Sequence, residues 1–448
     1  MSQLYTQNMQ LIEKRWPEIA AHIDQQDIEA LDAQLVEAKA QTISINGIQL
    51  SSRYDALEEA FFYRSQTEGD VYFLFGVALG DIPKLLAHDP GAKEINIFVI
   101  NPDIFKLVLH FTEQSWLADS RFNLHLVPAQ HIHVEPFLHQ KGTIILPSEK
   151  ELCKRLDASL YYRLENSIVL QHMNASLLNE EQQEFDTKRL KENLPSIRQH
   201  KSVNTLVDKH RHAHKSVIVI GAGPTLEDNL PELVRVSQLK KHKRPLIIAV
   251  SMAGSLLLKQ NIIPDILVHV DRGQGMVAQG KHLPDFIPFE LASEGTALVY
   301  ATLVEREIIE GWKGSAFYAN LNTCDYDESH KLLPTDRLFI HGSVIAPAVH
   351  MAMSFATKNV YFMGMDFGFP DKKFHAGMSN DTHTAGIIMN ESVLNGYDEE
   401  IETDRSYRTF LTGVESLVMS APNLTFINCS RKGAKIKNTE YLDGKEIV

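Results

Sequence analysis

Five segments of this sequence combine residue types that do chemistry with positions where a chain folds back on itself. Gly221-Ala-Gly-Pro-Thr225 follows the apolar run Ser216–Ile220 and precedes a helical pattern. Gly221 and Gly223 let an anion approach the backbone, and a helix N-terminus adds N–H donors and the positive end of the peptide dipole. Pro224 suits a first helical turn, and Thr225 or Asp228 can cap it. Asp271 and Asp366 each follow an apolar run, Ile266–Val270 and Val360–Met365. Carboxylates just past buried strands face the ligand edge of an α/β sheet, where they hold hydroxyls, amino groups or a cation. Gly342 and Ser343 open another helical stretch with small residues and a hydroxyl. The irregular segment 368–385 carries His375 and His383, whose ordinary pKa suits proton transfer near neutrality.

The chemistry these residues suggest is the binding of a phosphate-bearing ligand. A dinucleotide fingerprint is absent, because Leu226 stands where a third glycine belongs and the second strand ends in Ser251 rather than an acid. Asp271 and Asp366 on one sheet beside a glycine loop mark a candidate site, with His375 and His383 the nearby groups able to move a proton.

The elements that must position them follow from hydrophobic patterning. Runs at 71–75 and 95–100 alternate with helical segments at 54–64 and 102–111, and a second series of strands is expected at 216–220, 246–250, 266–270, 297–301, 337–340, 359–363 and 424–428. The fold class expected is α/β, with two Rossmann-like parallel-sheet domains joined by a helical connector. The expected division is an N-terminal domain over 1–150, a connector over 151–205 and a doubly wound domain over 206–448. Residues 1–25 read as one amphipathic helix, and Asn46-Gly47 between alternating apolar residues reads as a hairpin turn. The turn Gly76–Gly80, with Asp103 further on, imitates a methyltransferase cofactor loop, but Asn101 stands where a carboxylate would grip a ribose.

Composition narrows the class. The 448 residues are 44% hydrophobic and 23% charged, which excludes wholesale disorder, and 44 Lys plus Arg against 57 Asp plus Glu give −13. No overall field draws such a chain to nucleic acid or an anionic membrane, although a local basic patch is compatible with it. The three cysteines, Cys153, Cys324 and Cys429, are widely spaced with no CxxC, which argues for a reducing compartment and against a disulfide framework or a zinc site. His210, His212 and His214 lack an acidic or cysteine companion in their run and read as a solvated basic face. No metal site is expected. Without a secretory leader or an apolar run long enough for a membrane helix, the protein is expected in the cytoplasm.

In order and spacing, several segments resemble the motif series of the motility accessory factor (Maf) glycosyltransferases. They are Gly221–Leu226, Asn261–Asp271, Gly342–Val344, Gly364–Asp366 with His375-Ala376, and Gly433–Ile436, preceded by Ser52–Glu59, Phe75–Gly80 and Ile97–Asp103. The resemblance spans about residues 50–440 of the sequence. It implies transfer of a nonulosonic acid, of pseudaminic or legionaminic type, from its CMP-activated form to Ser or Thr of flagellin, by a core similar to bacterial sialyltransferases. It implies CMP-sugar and flagellin as partners, with no obligatory cofactor. Asn101 departs from the acid usual there, and the chain ends without the extra helical domain of longer members. Two other readings stay open: a hydroxymethylpterin-type pyrophosphokinase using ATP and Mg²⁺, from a sister branch, and a non-catalytic flagellin escort.

Overall fold

The computed structural model describes residues 2–65, 69–126, 143–145, 152, 180–273, 287–377, 391–442 and 447. The chain divides into two units, Met1–Gln171 and His172–Val448. His383 and Cys153, and most of the first half of the expected connector, lie outside the described residues.

In the first unit a parallel four-stranded sheet has the order β6-β5-β4-β7, from β4 (Val71–Phe75), β5 (Glu94–Val99), β6 (Phe122–Leu126) and β7 (Thr143–Ile145). β4 and β5 are nearly all buried, as continuous apolar runs covered on both faces should be. The leading segment is two helices, Gln3–Arg15 and Pro17–Asp24, rather than one. Pro17 disfavours helical dihedrals at the residue before it, and Trp16 accordingly sits at φ −139°, ψ 68°. The hairpin of β2 (Gln41–Ile45) and β3 (Ile48–Gln49) turns on Asn46 and Gly47, both at positive φ, and a further strand, β1 (Ala33–Glu37), extends it. Asn101 is the N-cap of the helix Pro102–Phe111, its Oδ1 accepting from the Ile104 N–H at 3.0 Å. The Gly76–Gly80 loop is lined by the chain's own side chains. Gln114 donates to the Leu79 carbonyl at 3.1 Å, and a Cβ on Gly80 would collide with it.

The second unit is built on nine parallel strands in the order β18-β17-β14-β9-β10-β11-β12-β13-β8, with β18 (Glu440–Tyr441) and β8 (Lys201–Ser202) at its two edges. The five central ones are β14 (Ala356–Met363), β9 (His214–Ile220), β10 (Leu246–Val250), β11 (Ile266–His269) and β12 (Ala297–Ala301). The chain runs outward from β9 to β13 (Ala316–Ala319), then returns to place β14 and β17 (Thr425–Asn428) on the other side of β9. The direction of winding reverses between β9 and β14, and in such sheets the crevice for ligands opens at the carboxyl ends of those two strands. Both sheets are parallel and carry helical crossovers, so the α/β expectation holds.

The strand expected at 337–340 is not formed. Leu338 makes a single bridge to Leu321, and Arg337 turns its guanidinium to Asp327 at 2.6 Å. The missing strand is β13, whose Ala-Phe-Tyr-Ala is too short and too mildly apolar to announce itself. The described part of 151–205 belongs to the second unit. The helix Glu180–Ile197 is fixed by Asn193, whose amide donates to the carbonyls of Thr302 and Val304, and β8 (Lys201–Ser202) forms the edge of the sheet beside β13. No helix among the described residues is long and apolar enough to cross a membrane.

The Asn101 side chain caps a helix, so Asn101→Ala should lower stability by about 1 kcal/mol while Asn101→Asp, which also caps, should be nearly neutral. Urea denaturation of the three proteins checks this, and equal losses from both substitutions would contradict a capping role.

Candidate functional site

The carboxyl ends of β9 and β14 meet in backbone contact. Gly221 N–H donates to the Met363 carbonyl and Gly223 N–H to the Gly364 carbonyl, both at 2.8 Å. A Cβ on Gly221 would lie 2.4 Å from the Gly364 oxygen, so the two strand ends approach this closely only as glycines.

Asp366 closes the junction. It is buried, one carboxylate oxygen accepts the Thr225 N–H at 2.8 Å, and the other accepts the Thr225 hydroxyl. Its own backbone carbonyl accepts from Ala434 N–H at 2.7 Å. Side chains at Gly223 and Gly433 would each collide with this carboxylate, at 2.5 and 2.6 Å. Burial pushes its pKa up to about 6, with the Thr225 donors opposing the shift. Asp366 therefore pins together the loops 221–225, 364–367 and 433–434. The residue after it, Phe367, is held at φ 44°, a strained conformation for an aromatic residue, with its carbonyl bonded by the Thr403 hydroxyl at 2.8 Å.

Several sequence expectations take a different form here. Thr225 stands at the N-cap of the helix Leu226–Ser237 but makes no cap bond, because its side chain serves Asp366. Asp228 pairs with Lys432 at 2.8 Å at the surface. The N–H groups of Gly221, Gly223 and Thr225 all donate within the protein, and Pro224 has none. Asp366 is buried, and each of its oxygens already accepts from Thr225.

Other groups remain on the same edge. Asp271 is exposed beyond β11, and its Oδ1 accepts from Gly273 N–H at 2.9 Å. Its neighbour Arg272 is taken up by Asp186, at 2.7 Å, and by Asp325, over the Tyr326 ring. Gly342 is exposed at φ 76°, and Ser343 is half-buried before the helix Ile345–Phe355, its Oγ accepting from Ile345 N–H at 3.3 Å and its carbonyl from Ala346 N–H at 3.2 Å. The side chain of Ile345 would be 3.0 Å from a Cβ on Gly221, so this helix start adjoins the glycine loop.

His375 is brought to that loop by its neighbours. Ala376 N–H donates to the Ala222 carbonyl at 3.0 Å, Gly377 N–H to Glu227 at 2.8 Å, and Lys373 Nζ to Glu227 at 3.1 Å. The Gly377 bond, helped by Lys373, holds the Glu227 carboxyl below its usual range. Glu227, on the first turn of its helix, is thus the anchor of segment 373–377.

The sequence reading passed over a buried pair one strand away. Ser251 opens the helix Ser251–Lys259 after β10, His269 ends β11, and Ser251 Oγ lies 2.9 Å from His269 Nδ1. Burial lowers the His269 pKa to about 4, so the ring is neutral at physiological pH. The signal available was a lone polar residue closing the apolar run Ile266-Leu-Val-His269. Among the described residues no group of three or more His, Cys, Asp or Glu side chains converges as metal ligands.

Residues 188–372 match the family described as 6-hydroxymethylpterin diphosphokinase MptE-like. Among solved structures the chain is similar to a MAf glycosyltransferase from Magnetospirillum magneticum AMB-1. The identity is 15%, the TM-score is 0.50, and the match covers 99% of this chain and 74% of the other. No curated protein sequence matches. The likeness establishes a shared fold.

A carboxyl whose pKa is raised on folding binds its proton more tightly in the native state. Its stabilisation is therefore present at low pH and is lost as pH climbs from the ordinary carboxylate range through about 6. Asp366→Asn cannot accept from Thr225 N–H through its amide nitrogen and should cost about 1–3 kcal/mol. The gap between wild type and variant should be widest near pH 4 and narrow toward pH 7. Melting midpoints across that range check this, and a gap that widens with pH would contradict it.

Proposed function

We propose that this protein is a glycosyltransferase that moves a nonulosonic acid from its CMP-activated form to a serine or threonine hydroxyl of flagellin, and that it acts in flagellum assembly and motility. The observation that carries the reading is the extent of the structural likeness. It runs through both units of the chain, and the partner of that likeness is a glycosyltransferase. The motif series Gly221–Leu226, Asn261–Asp271, Gly342–Val344 and Gly364–Asp366 supports the finer assignment.

In this reading the acceptor oxygen bonds to the anomeric carbon of the donor as the bond from that carbon to the CMP phosphate oxygen breaks. The electron pair leaves with CMP. His375, anchored beside Ala222 through its neighbours, takes the acceptor proton. Asp271, exposed at the edge, reads ribose or base. The phosphate is held by the hydroxyl of Ser343, rather than by the inward-donating N–H groups of Gly221, Gly223 and Thr225. The role of Asp366 is to hold the three loops in register.

A second reading is favoured by one specific observation, the match of residues 188–372 to a family described as a diphosphokinase. ATP and Mg²⁺ would then be required, with Asp271 as a metal ligand. The occupied oxygens of Asp366 leave that reading without its second carboxylate.

Purified protein incubated with flagellin and CMP-pseudaminic or CMP-legionaminic acid should raise the flagellin mass by one sugar. His375→Ala should lower the rate about 10²- to 10⁴-fold without shifting the melting temperature. CMP should raise that temperature, since a ligand bound only by the folded state stabilises it, and ATP with Mg²⁺ should not. Unchanged flagellin together with a shift by ATP and Mg²⁺ would replace the first reading by the second.

A further inference from the structure

The strongest departure from the overall charge of −13 lies at the amino ends of the strands in the second unit, opposite the edge just described. The runs Lys209-His-Arg-His-Ala-His-Lys215 and Lys240-Lys-His-Lys-Arg244 contain seven lysines and arginines and no acid. They are distant in sequence, but the parallel pairing of β9 with β10 sets Val217 against Leu246, so Lys215 and Arg244 enter the sheet side by side. On the other flank Ser216 faces Asn359, which brings Lys358 into the same row. Arg244 and Lys209 both lie close enough to add, after burial, to the forces that lower the His214 pKa.

The two arginines of this face are engaged. Arg244 is nearly buried against Asp265 at 2.6 Å, and Arg211 meets Asp208 at 3.3 Å. The lysines are not. Lys209, Lys215, Lys240, Lys243 and Lys358 are exposed and have no ion-pair partner among the described residues. Lys241 is 72% exposed and reaches Asp265 only at 3.7 Å, where Arg244 is already bound. Toward β12 the edge turns acidic at Glu290 and Glu294, which bounds the patch on that side.

We propose that this lysine face docks the protein on an anionic phospholipid surface, with the carboxyl edge of the sheet left facing solution. Five or six unpaired ammonium groups on flexible stems recognise charge density rather than a particular geometry. Clusters of four to eight such residues are what bind anionic headgroups through electrostatics alone. Neither run contains Phe, Tyr or Trp, the large rings on which nucleic-acid bases stack best, and of their four histidines His210 and His214 are stacked on each other. The only helix within the second run has three residues, too few to enter a groove of duplex DNA. No large apolar side chain is exposed in either run, so an acidic peptide would find charge there and no anchoring contact. The surplus negative charge of the rest of the chain is repelled by the same surface, which favours binding in one orientation.

Sedimentation of the full chain with phosphatidylcholine vesicles, with and without 30 mol% phosphatidylglycerol, tests the proposal. Binding should require the anionic lipid and fall steeply between 50 and 500 mM salt. Lys209→Gln, Lys240→Gln and Lys243→Gln combined should weaken it about 100-fold, at roughly fivefold per lysine. A control combining Lys14→Gln, Lys39→Gln and Lys188→Gln should bind as the parent does. All these side chains are exposed, and unchanged melting temperatures show that the fold is retained. Equal binding to the two vesicle types, equal weakening by the two triple variants, or tighter retention of single-stranded RNA than of anionic vesicles would each overturn the proposal.

Discussion

The geometry of the second unit depends on one buried carboxylate. Asp366 stands where the winding of the sheet reverses, and its oxygens accept both donors of Thr225 while its backbone accepts Ala434. Burying a charge is costly unless hydrogen bonds compensate it, and here the compensation comes from groups on other loops. The three loops therefore hold one another in place: each contributes either the acceptor, the donors or the glycine that leaves room. Substituting any of these glycines by a residue with a Cβ would push against Asp366 or against the backbone of the opposite strand.

That arrangement has a consequence for ligand recognition. A glycine loop that donates inward cannot also serve as a phosphate cradle through the same N–H groups. What the pinned junction offers instead is a rigid reference. Ala222 directs its carbonyl to Ala376, Glu227 holds Gly377 and Lys373, and His375 is carried to the loop between them. The start of the helix at Ile345, with the Ser343 hydroxyl before it, lies against Gly221. In a chain of net charge −13 an anionic donor must be met by local donors of this kind, because the overall field opposes it.

Much of the fold was legible because parallel strands buried on both faces announce themselves as apolar runs; β4, β10 and β12 were read to their ends, and β9 begins two residues earlier than its apolar run. β13 and β8 were not, since Ala316–Ala319 and Lys201–Ser202 acquire strand character from neighbours in the sheet rather than from their own patterning. The positions of Gly221, Asp271 and Asp366 along the carboxyl edge were also legible, because strand ends dictate them; Ser343 reaches that edge without a strand of its own. Their bonding was not. That Thr225 serves Asp366 instead of capping its helix depends on a contact across 141 residues, which no local rule contains. The Ser251–His269 pair is hidden for the same reason, since each residue alone is an unremarkable end to its strand.

A parallel sheet sorts the sequence by direction. Whatever precedes each strand collects at one edge and whatever follows it at the other, so residues far apart in the chain become neighbours by register. Read along the chain, the histidine-rich run at 209–215 is a solvated basic face and the run at 240–244 a short basic loop. Read across β14, β9 and β10, the lysines of both runs gather with Lys358 at one edge, while Asp271, Ser343 and His375 belong to the far edge. Because all the strands point the same way, charge at the amino edge can bind a surface without entering the chemistry at the carboxyl edge. The two edges lie a full strand length apart, about 17–20 Å, more than twice the screening distance at physiological salt. The two edges can therefore differ in sign and in use while sharing one core.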